Sequence, residues 1–242
     1  KFHCWHKYGH GAVGLLDAIA QSCDVFFYEI ALKTGINNIA KISREFGLGL
    51  PTGINLPGEK SGLIPDRKWK LDVKKQVWRP GETIIAGIGQ GYVLATPIQL
   101  ALMTARIANG GKKIKPTLLK SSMLQASNAN SVKVSEKNLN IIKRAMEKVS
   151  LDEFGTGRNF RLGIKGVEMA GKTGTVQVRR ISTKERESEE GVIKNEDRIW
   201  EWRDHALYVG YAPMDKPRYA ISVIVEHGGS GSSKAGPIAR DI

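Results

Sequence analysis

The sequence predicts an α/β fold of the α+β type, with helices in the first two thirds and an antiparallel sheet in the last third. Up to Val149 the apolar residues recur mainly at helical spacing, whereas from Met169 onward they form short apolar or alternating runs. The chain has 242 residues, of which 41% are hydrophobic and 25% charged, so it can bury a sizeable core as one large or two small domains.

The first helical region runs from Leu15 to Leu32 and predicts one helix, or two helices that meet near Ser22. Asn37 can cap the next helix, which we expect to continue through Phe46 and to end at Gly47.

Prolines and glycines are frequent from residue 47 to 75, which predicts a loop-rich stretch, and the tight loop predicted at 87–91 follows it. Thr96 begins a capping box with proline at the first helical position, so a helix should extend to about Asn109. Ser135 is the expected cap of a further helix that ends near Val149.

Three runs near the C-terminus are predicted strands, namely Met169 to Val178, His205 to Tyr211 and Tyr219 to Glu226. We expect them to pair in an antiparallel sheet. The segment from Arg179 to Asp197 is charged and lacks apolar periodicity, so it is predicted to be a mobile loop beside the first strand. The glycines and serines at 228–233 predict a flexible stretch that leads back to a helix.

A short motif, Lys172-Thr173-Gly174-Thr175, gives the first strand an ammonium and two hydroxyls along one edge. Glycines on both sides of the lysine let another backbone approach closely, so this edge can grip an extended peptide. Far upstream lie Ser22 and Asp24, two positions apart. Taken alone, each motif has an ordinary explanation, since Lys-Thr-Gly also occurs in turns and Ser and Asp also cap helices.

No serine of the chain is followed by a lysine three positions later. A Ser-x-x-Lys nucleophile is therefore absent from these residues. The chain opens on Lys1 without an initiator methionine and stops at Ile242 on a predicted helix turn, so we expect both ends to be cut.

The formal net charge of +13 raises the possibility of nucleic-acid binding. The lysines are spread along the whole chain, aromatic residues make up only 7%, and no nucleic-acid-binding signature is present. We therefore expect no nucleic-acid partner and interpret the charge as a solvated basic surface, which would also suit an anionic membrane face or a polymer that carries carboxylates.

Eight motifs occur in a fixed order and together resemble the elongation-specific class B branch of the penicillin-binding proteins, the D,D-transpeptidases of rod-shaped bacteria. They are His10-Gly11, Ser22 to Glu29, Phe46 to Gly49, Thr52 to Ile54, Trp78 to Thr83, Ile88 to Tyr92, Thr96 to Gln99, and Lys172 to Thr175. The resemblance covers the chain from about Cys4 to Gly229.

The resemblance implies a serine transpeptidase or β-lactamase-like fold with a five-stranded antiparallel sheet between helices. Residues 1–242 would then be part of a transpeptidase domain, and the segment carrying Ser-x-x-Lys, the pedestal and the membrane anchor would precede them. It also implies a place on the periplasmic face of the cytoplasmic membrane. The implied partners are peptidoglycan stem peptides, β-lactams, a membrane glycosyltransferase and a shape-determining scaffold protein.

The resemblance also assigns roles in acyl transfer through a serine ester, a reaction that side chains carry out without a cofactor. Ser22 would relay a proton to the leaving amine, and Lys172 would supply positive charge. Asp24 beside Lys172 would favour the ammonium form, which argues against a general-base role for that lysine. The Thr175 N–H would stabilise the oxyanion, and the hydroxyls of Thr173 and Thr175 would bind the substrate carboxylate, with Gly174 between them.

Two other functions stay open. Water could resolve the acyl-enzyme, as in a serine β-lactamase or a carboxypeptidase of the same fold, although the long loop-rich segment from Gly47 to Gly91 favours the class B synthase. Without its nucleophile the isolated chain should be inactive and act only as a binding module.

The two cysteines of the chain, Cys4 and Cys23, flank His10 with the spacing Cys-x5-His-x12-Cys. The spacing alone leaves open a buried Cys23, a Cys4–Cys23 disulfide, or a metal site. The resemblance favours a structural zinc held by Cys4, His10 and Cys23, with a fourth, acidic ligand upstream of the chain.

Overall fold

A computed structural model of the protein describes residues 2–119, 130–179, 181–182, 184–185, 188 and 191–242. Its helices are α1 Leu15–Ala20, α2 Asp24–Thr34, α3 Ile36–Glu45, α4 Arg67–Trp69, α5 Pro80–Gly87, α6 Pro97–Ala108, α7 Glu136–Leu151 and α8 Gly236–Asp241. Its strands are β1 Ala170–Val176, β2 His205–Ala212 and β3 Tyr219–Val225. No helix of this described part is long and apolar enough to cross a membrane.

The first helical region is two helices, and they meet at Ser22 as one of the two predicted alternatives requires. The following helix, α3, begins one residue before Asn37, so the prediction of Asn37 as its cap is wrong. Gly35 holds the cap position with φ +76°, a left-handed value that glycine adopts readily. The Asn37 side chain instead accepts a hydrogen bond of 3.3 Å from the Arg67 N–H.

Helix α5 was not predicted, because Pro80-Gly81 suggests a turn when the sequence is considered alone. In the structure Pro80 occupies the first helical turn, where a missing N–H costs little. The Glu82 carboxylate accepts a hydrogen bond of 2.8 Å from the Arg79 N–H and so caps the same turn. The loop-rich stretch before it holds α4 and a π-helical turn at Lys70–Lys74.

Helices α6 and α7 confirm the capping predictions. The Thr96 hydroxyl accepts from the Gln99 N–H, and the Gln99 carboxamide accepts in return from the Thr96 N–H at 2.9 Å. The Ser135 hydroxyl accepts from the Asn138 N–H at 3.3 Å at the start of α7. Both helices lie against the sheet, α6 on β2 and β3 and α7 on β1.

The sheet is antiparallel in the order β1-β2-β3, which confirms the predicted fold class and pairing. The described residues supply three of the five strands that the resemblance implies. Lys172 lies opposite Val209, and Thr175 lies opposite Ala206. Because β1 is first in the order, its other side is a free edge among the described strands.

One core cluster lies between the sheet and α8, and it includes Phe160, Met169, Tyr208 and Ala239. The Tyr208 ring lies so close to Gly171 that a Cβ atom on residue 171 would collide with the Tyr208 hydroxyl. The lack of a side chain at Gly171 therefore lets the core pack directly beneath the Lys172 motif.

The charged connection between β1 and β2 is tied to the sheet in its described part, although residues 180, 183, 186–187 and 189–190 lie outside the description. The Asp204 carboxylate accepts from the Val178 N–H at 3.1 Å and from Arg198 at 3.2 Å. The predicted flexible stretch at 228–233 is wrong from Gly231 onward, where Gly231–Ala235 forms a π-helical turn.

Candidate active site

The structure brings Lys172 and Ser22 into direct contact although 150 residues separate them in the chain. Lys172 Nζ donates a hydrogen bond to Ser22 Oγ and a second one, of 2.9 Å, to the Thr173 carbonyl. An amine and a hydroxyl in such contact can exchange a proton in either direction. The contact therefore joins the two predicted motifs into one site between β1 and the α1–α2 junction.

The backbone at this junction is held in an unusual conformation. Ser22 has φ +55°, a left-handed value that costs free energy for a residue with a side chain. Trp5 stabilises it, because its indole N–H donates to the Ser22 carbonyl at 2.9 Å and to the Gln21 carbonyl at 3.2 Å. Sequence reasoning did not identify this role of Trp5.

Asp24 begins α2 directly after the junction. Its carboxylate accepts a hydrogen bond of 2.8 Å from the Trp5 N–H. Burial raises the pKa of the Asp24 carboxyl, and the hydrogen bond from Trp5, the Cys4 thiol and the positive charges of Lys172 and His10 oppose that shift only in part.

Burial also dominates at Lys172, where it lowers the pKa to about 8. Asp24 acts in the opposite direction and favours the ammonium form, as predicted, but its effect is the smaller one. Burial outweighs the effect of Asp24, so the nearby carboxylate does not by itself exclude a base role for Lys172. At neutral pH the ammonium form still predominates, and a fraction of neutral amine is available to accept a proton.

The rest of the motif lies along the free edge of β1. The Thr173 hydroxyl donates to the Thr156 hydroxyl at 2.7 Å, and the Thr156 N–H donates to the Ala20 carbonyl at 3.1 Å. Thr156, which sequence reasoning missed, thus connects β1 to α1. Gly174 is approached from the other side by Gly231, where a Cβ would collide with the Gly174 carbonyl.

Gln90 reaches the same edge from the loop after α5. Its Nε2 donates to the Thr175 carbonyl at 3.0 Å, across 85 positions of sequence. The sequence places this residue in the Ile88 to Tyr92 motif and in a predicted tight loop, but it predicts no contact with β1.

The second predicted cluster lies beside the first. Donor atoms of Cys4, His10 and Cys23 are all within 4.8 Å of one another, and Cys4 Sγ is 3.4 Å from His10 Nδ1. Burial and the nearby His6 lower the pKa of His10, which favours the neutral imidazole that binds metals. Burial raises the pKa of the Cys23 thiol, and both cysteines are free, so they form no disulfide in this structure.

Comparison with known proteins identifies a family over the whole chain. The family described as penicillin binding protein transpeptidase domain matches residues 1–242. The peptidoglycan D,D-transpeptidase MrdA of Acinetobacter baumannii is 39% identical over 98% of the chain, which spans 36% of that protein.

Solved structures agree with the sequence comparison. PBP2 from Helicobacter pylori, in a complex with MreC, superposes with a TM-score of 0.84 at 36% identity, over 98% of this chain and 41% of that one. Pseudomonas aeruginosa PBP2 in complex with WCK 5153 has a TM-score of 0.81 at 37% identity, over 99% and 48%. A peptidoglycan synthase complex that coordinates polymerization and crosslinking has a TM-score of 0.77 at 32% identity, over 99% of this chain and 38% of that one. The chain therefore belongs to the penicillin-binding protein transpeptidase family, and its relatives there are PBP2 proteins.

Proposed function

We propose that the full-length protein that contains this chain is a peptidoglycan D,D-transpeptidase that cross-links stem peptides during cell elongation and is acylated by penicillins. The observation that carries the proposal is the contact of Lys172 Nζ with Ser22 Oγ at the free edge of β1. The family match and the names of the relatives support it.

In this reaction a serine from outside the chain attacks the carbonyl between the two terminal D-alanines of a stem peptide. The new ester bond forms as the peptide bond breaks. Ser22 gives its proton to the departing D-alanine amine and takes up the proton that the attacking serine loses, so it relays one proton from nucleophile to leaving group. The oxyanion accepts a hydrogen bond from the Thr175 N–H, and the Lys172 ammonium attracts the substrate carboxylate, which the Thr173 and Thr175 hydroxyls bind next to Gly174. An amine of a second stem peptide then attacks the ester, releases the serine and completes the cross-link.

The test is to incubate the full-length protein with a labelled pentapeptide donor and an amine acceptor, and to analyse the products by mass spectrometry. A cross-linked dimer is expected. Release of D-alanine with only hydrolysed donor would indicate a carboxypeptidase, and rapid hydrolysis of penicillin would indicate a β-lactamase. The isolated chain should form no adduct with penicillin, and detection of an adduct by intact mass would contradict the absence of the nucleophile from these residues.

The partner and location proposals follow the same relatives. Since a PBP2 relative was solved together with MreC, we propose that the full-length protein binds a shape-determining scaffold protein of this kind. A membrane glycosyltransferase as second partner is supported by the relative in a synthase complex. Because its substrates are outside the cytoplasm, the active site should lie on the periplasmic face of the membrane. Pull-down of both partners with the full-length protein tests this arrangement.

We further propose that Cys4, His10 and Cys23 hold one structural zinc, with a fourth, acidic ligand from outside the chain. Two sulfurs and one imidazole nitrogen within 4.8 Å of one another match the soft donor set and tetrahedral geometry of zinc. When bound, the metal ties the segment before α1 to the helix that begins at Asp24. Elemental analysis should find one zinc per full-length chain, and chelation should lower the melting temperature. Absence of zinc together with a Cys4–Cys23 disulfide in the peptide map would refute the proposal.

A further inference from the structure

The free edge of β1 offers backbone groups for pairing with another strand. In an antiparallel ladder the N–H and C=O of one residue point to the same side, and successive residues alternate between the two sides. The carbonyls of Thr173 and Thr175 accept hydrogen bonds from the side chains of Lys172 and Gln90. Both residues therefore present their backbone groups to the free edge and away from β2.

An extended peptide that adds to this edge needs the same groups. Strand addition gives affinity through reciprocal main-chain hydrogen bonds, in which the added peptide donates an N–H to the edge carbonyl. In the proposed reaction the Thr175 N–H faces the substrate carbonyl, so the Thr175 carbonyl is the acceptor for the next N–H of the peptide. In this structure Gln90 Nε2 already occupies that carbonyl at 3.0 Å.

The turn that carries Gln90 has open space on its Gly89 side. Gly89 and Gly91 both have φ +75°, so Gln90 sits at the tip of a turn between two left-handed glycines. A Cβ placed on Gly89 would meet no atom within 4 Å, which shows that this side of the turn is open. The Gln90 N–H donates to the Ile85 carbonyl at 3.1 Å, so the backbone of the turn stays on α5 while the Gln90 side chain can rotate away from β1.

We propose that Gln90 is a specificity-determining residue that competes with the substrate for the Thr175 carbonyl. A carbonyl oxygen can accept two hydrogen bonds, but Gln90 and an added strand approach this oxygen from the same free edge. Ligands that donate an N–H there displace the Gln90 carboxamide, whereas ligands without such a donor bind beside it. The inference rests on the proposed acylation of the full-length protein and adds a selection step to it. One neutral hydrogen bond sets the scale, so its removal should favour N–H donors by about fivefold.

The test compares two β-lactams on the full-length protein. Benzylpenicillin carries an acylamide N–H next to its reactive ring, whereas sulbactam carries no side chain at that position. The Gln90→Ala variant should be acylated about fivefold faster than wild type by benzylpenicillin and within twofold of wild type by sulbactam. Gln76→Ala, a change at an exposed glutamine of the loop before α5, is the matched control and should leave both rates unchanged.

Each alternative outcome overturns the proposal. Equal slowing with both compounds would mean that Gln90 anchors β1, and slowing with benzylpenicillin alone would mean that Gln90 itself binds the ligand. Unchanged rates would mean that the contact has no effect on binding.

Calorimetry separates this proposal from the proposed function, because it needs no acylation. An extended peptide in which an uncleavable link replaces the amide between its two terminal D-alanines should bind Gln90→Ala about fivefold more tightly than wild type. Wild-type protein that neither β-lactam acylates would contradict the proposed function, and the calorimetric comparison would still decide the role of Gln90. Equal or weaker peptide binding by the variant would count against it.

Discussion

Two lysines in different regions of this protein are shielded from solvent, Lys70 almost fully and Lys172 in part, and their partners differ. Lys70, before α5, is 3% exposed and pairs with the Glu82 carboxylate, with its Nζ also 5.9 Å from the centre of the Trp78 ring. Lys172, on β1, contacts a hydroxyl and a backbone carbonyl instead. Lys70 thus has a carboxylate as its ion-pair partner, whereas the direct partners of Lys172 are neutral. The carboxylate partner of Lys70 indicates a structural role, and the neutral partners of Lys172 indicate a chemical one.

The same contrast appears in the carboxylates. At Glu82 burial raises the pKa, but hydrogen bonds from Lys70 and from the Arg79 N–H outweigh it and lower the pKa overall. At Asp24 burial prevails and the pKa is raised. Lys70 and Glu82 therefore form a stabilised ion pair. Around Lys172, burial disfavours the charged forms of both Lys172 and Asp24, as is typical of active sites.

The largest expected effect is on chemistry at Lys172. In the full-length protein, Lys172→Ala should slow acylation by penicillin by at least about a hundredfold, the scale for loss of a preorganised charge. Lys172→Arg should recover only part of the rate, because the planar guanidinium does not replace a compact ammonium. Stopped-flow acylation rates measure both variants. Wild-type rates in either one would show that the motif is a strand edge without chemistry.

The opposite behaviour is expected at Lys70. Lys70→Ala removes the hydrogen-bonded partner of the Glu82 carboxylate, so it should lower the free energy of unfolding by about 2 kcal/mol, the scale of one hydrogen bond to a charged group. Urea denaturation of the full-length protein measures this change. The acylation rate of the folded variant should stay within about threefold of wild type, since Lys70 does not contact β1. A hundredfold loss of rate would erase the distinction between the two lysines.

The pH dependence sharpens the comparison. The second-order rate constant of acylation reports the free protein, so it should fall as pH rises through about 8, where Lys172 loses its proton. Lys172→Arg should show no such fall. Unfolding would not explain this fall in rate. The pKa of Lys172 is about 8 in the folded protein and about 10.4 in an unfolded chain, so between these values the unfolded state binds more protons. The contribution of Lys172 to the free energy of unfolding therefore increases as pH rises from 8. A rate that increases through pH 8 would instead identify Lys172 as the base.

The smallest effect is expected where a hydroxyl only positions the motif. Thr156→Val removes the acceptor of the Thr173 hydroxyl while keeping the side-chain shape, so acylation should slow by about fivefold, the scale of one neutral hydrogen bond. Thr117→Val, which removes an exposed local hydrogen bond, is the control. If both variants behave alike, Thr156 does not position β1.

Local residues predicted much of the fold. A capping box and terminal glycines placed α6, the Ser135 cap placed α7, and alternation placed the three strands, because these signals act within one turn or one strand. The start of α3 and the existence of α5 were missed, since Gly35 and Pro80 have roles that depend on the neighbouring chain. At the site, motif order named Ser22, Asp24 and Lys172 and included Gln90, but it did not predict the Gln90 contact with β1 or any role for Trp5 and Thr156.

The sequence by itself determined which groups are available, namely a lysine between two glycines, a serine two positions before an aspartate, and two cysteines flanking a histidine. Only the tertiary structure decided their states. It placed Lys172 against Ser22 instead of against a carboxylate, and burial then lowered its pKa to about 8 in spite of Asp24. The physical reason is that desolvation depends on everything packed around a group, including segments 80 to 150 residues away, whereas a motif specifies only its own few positions.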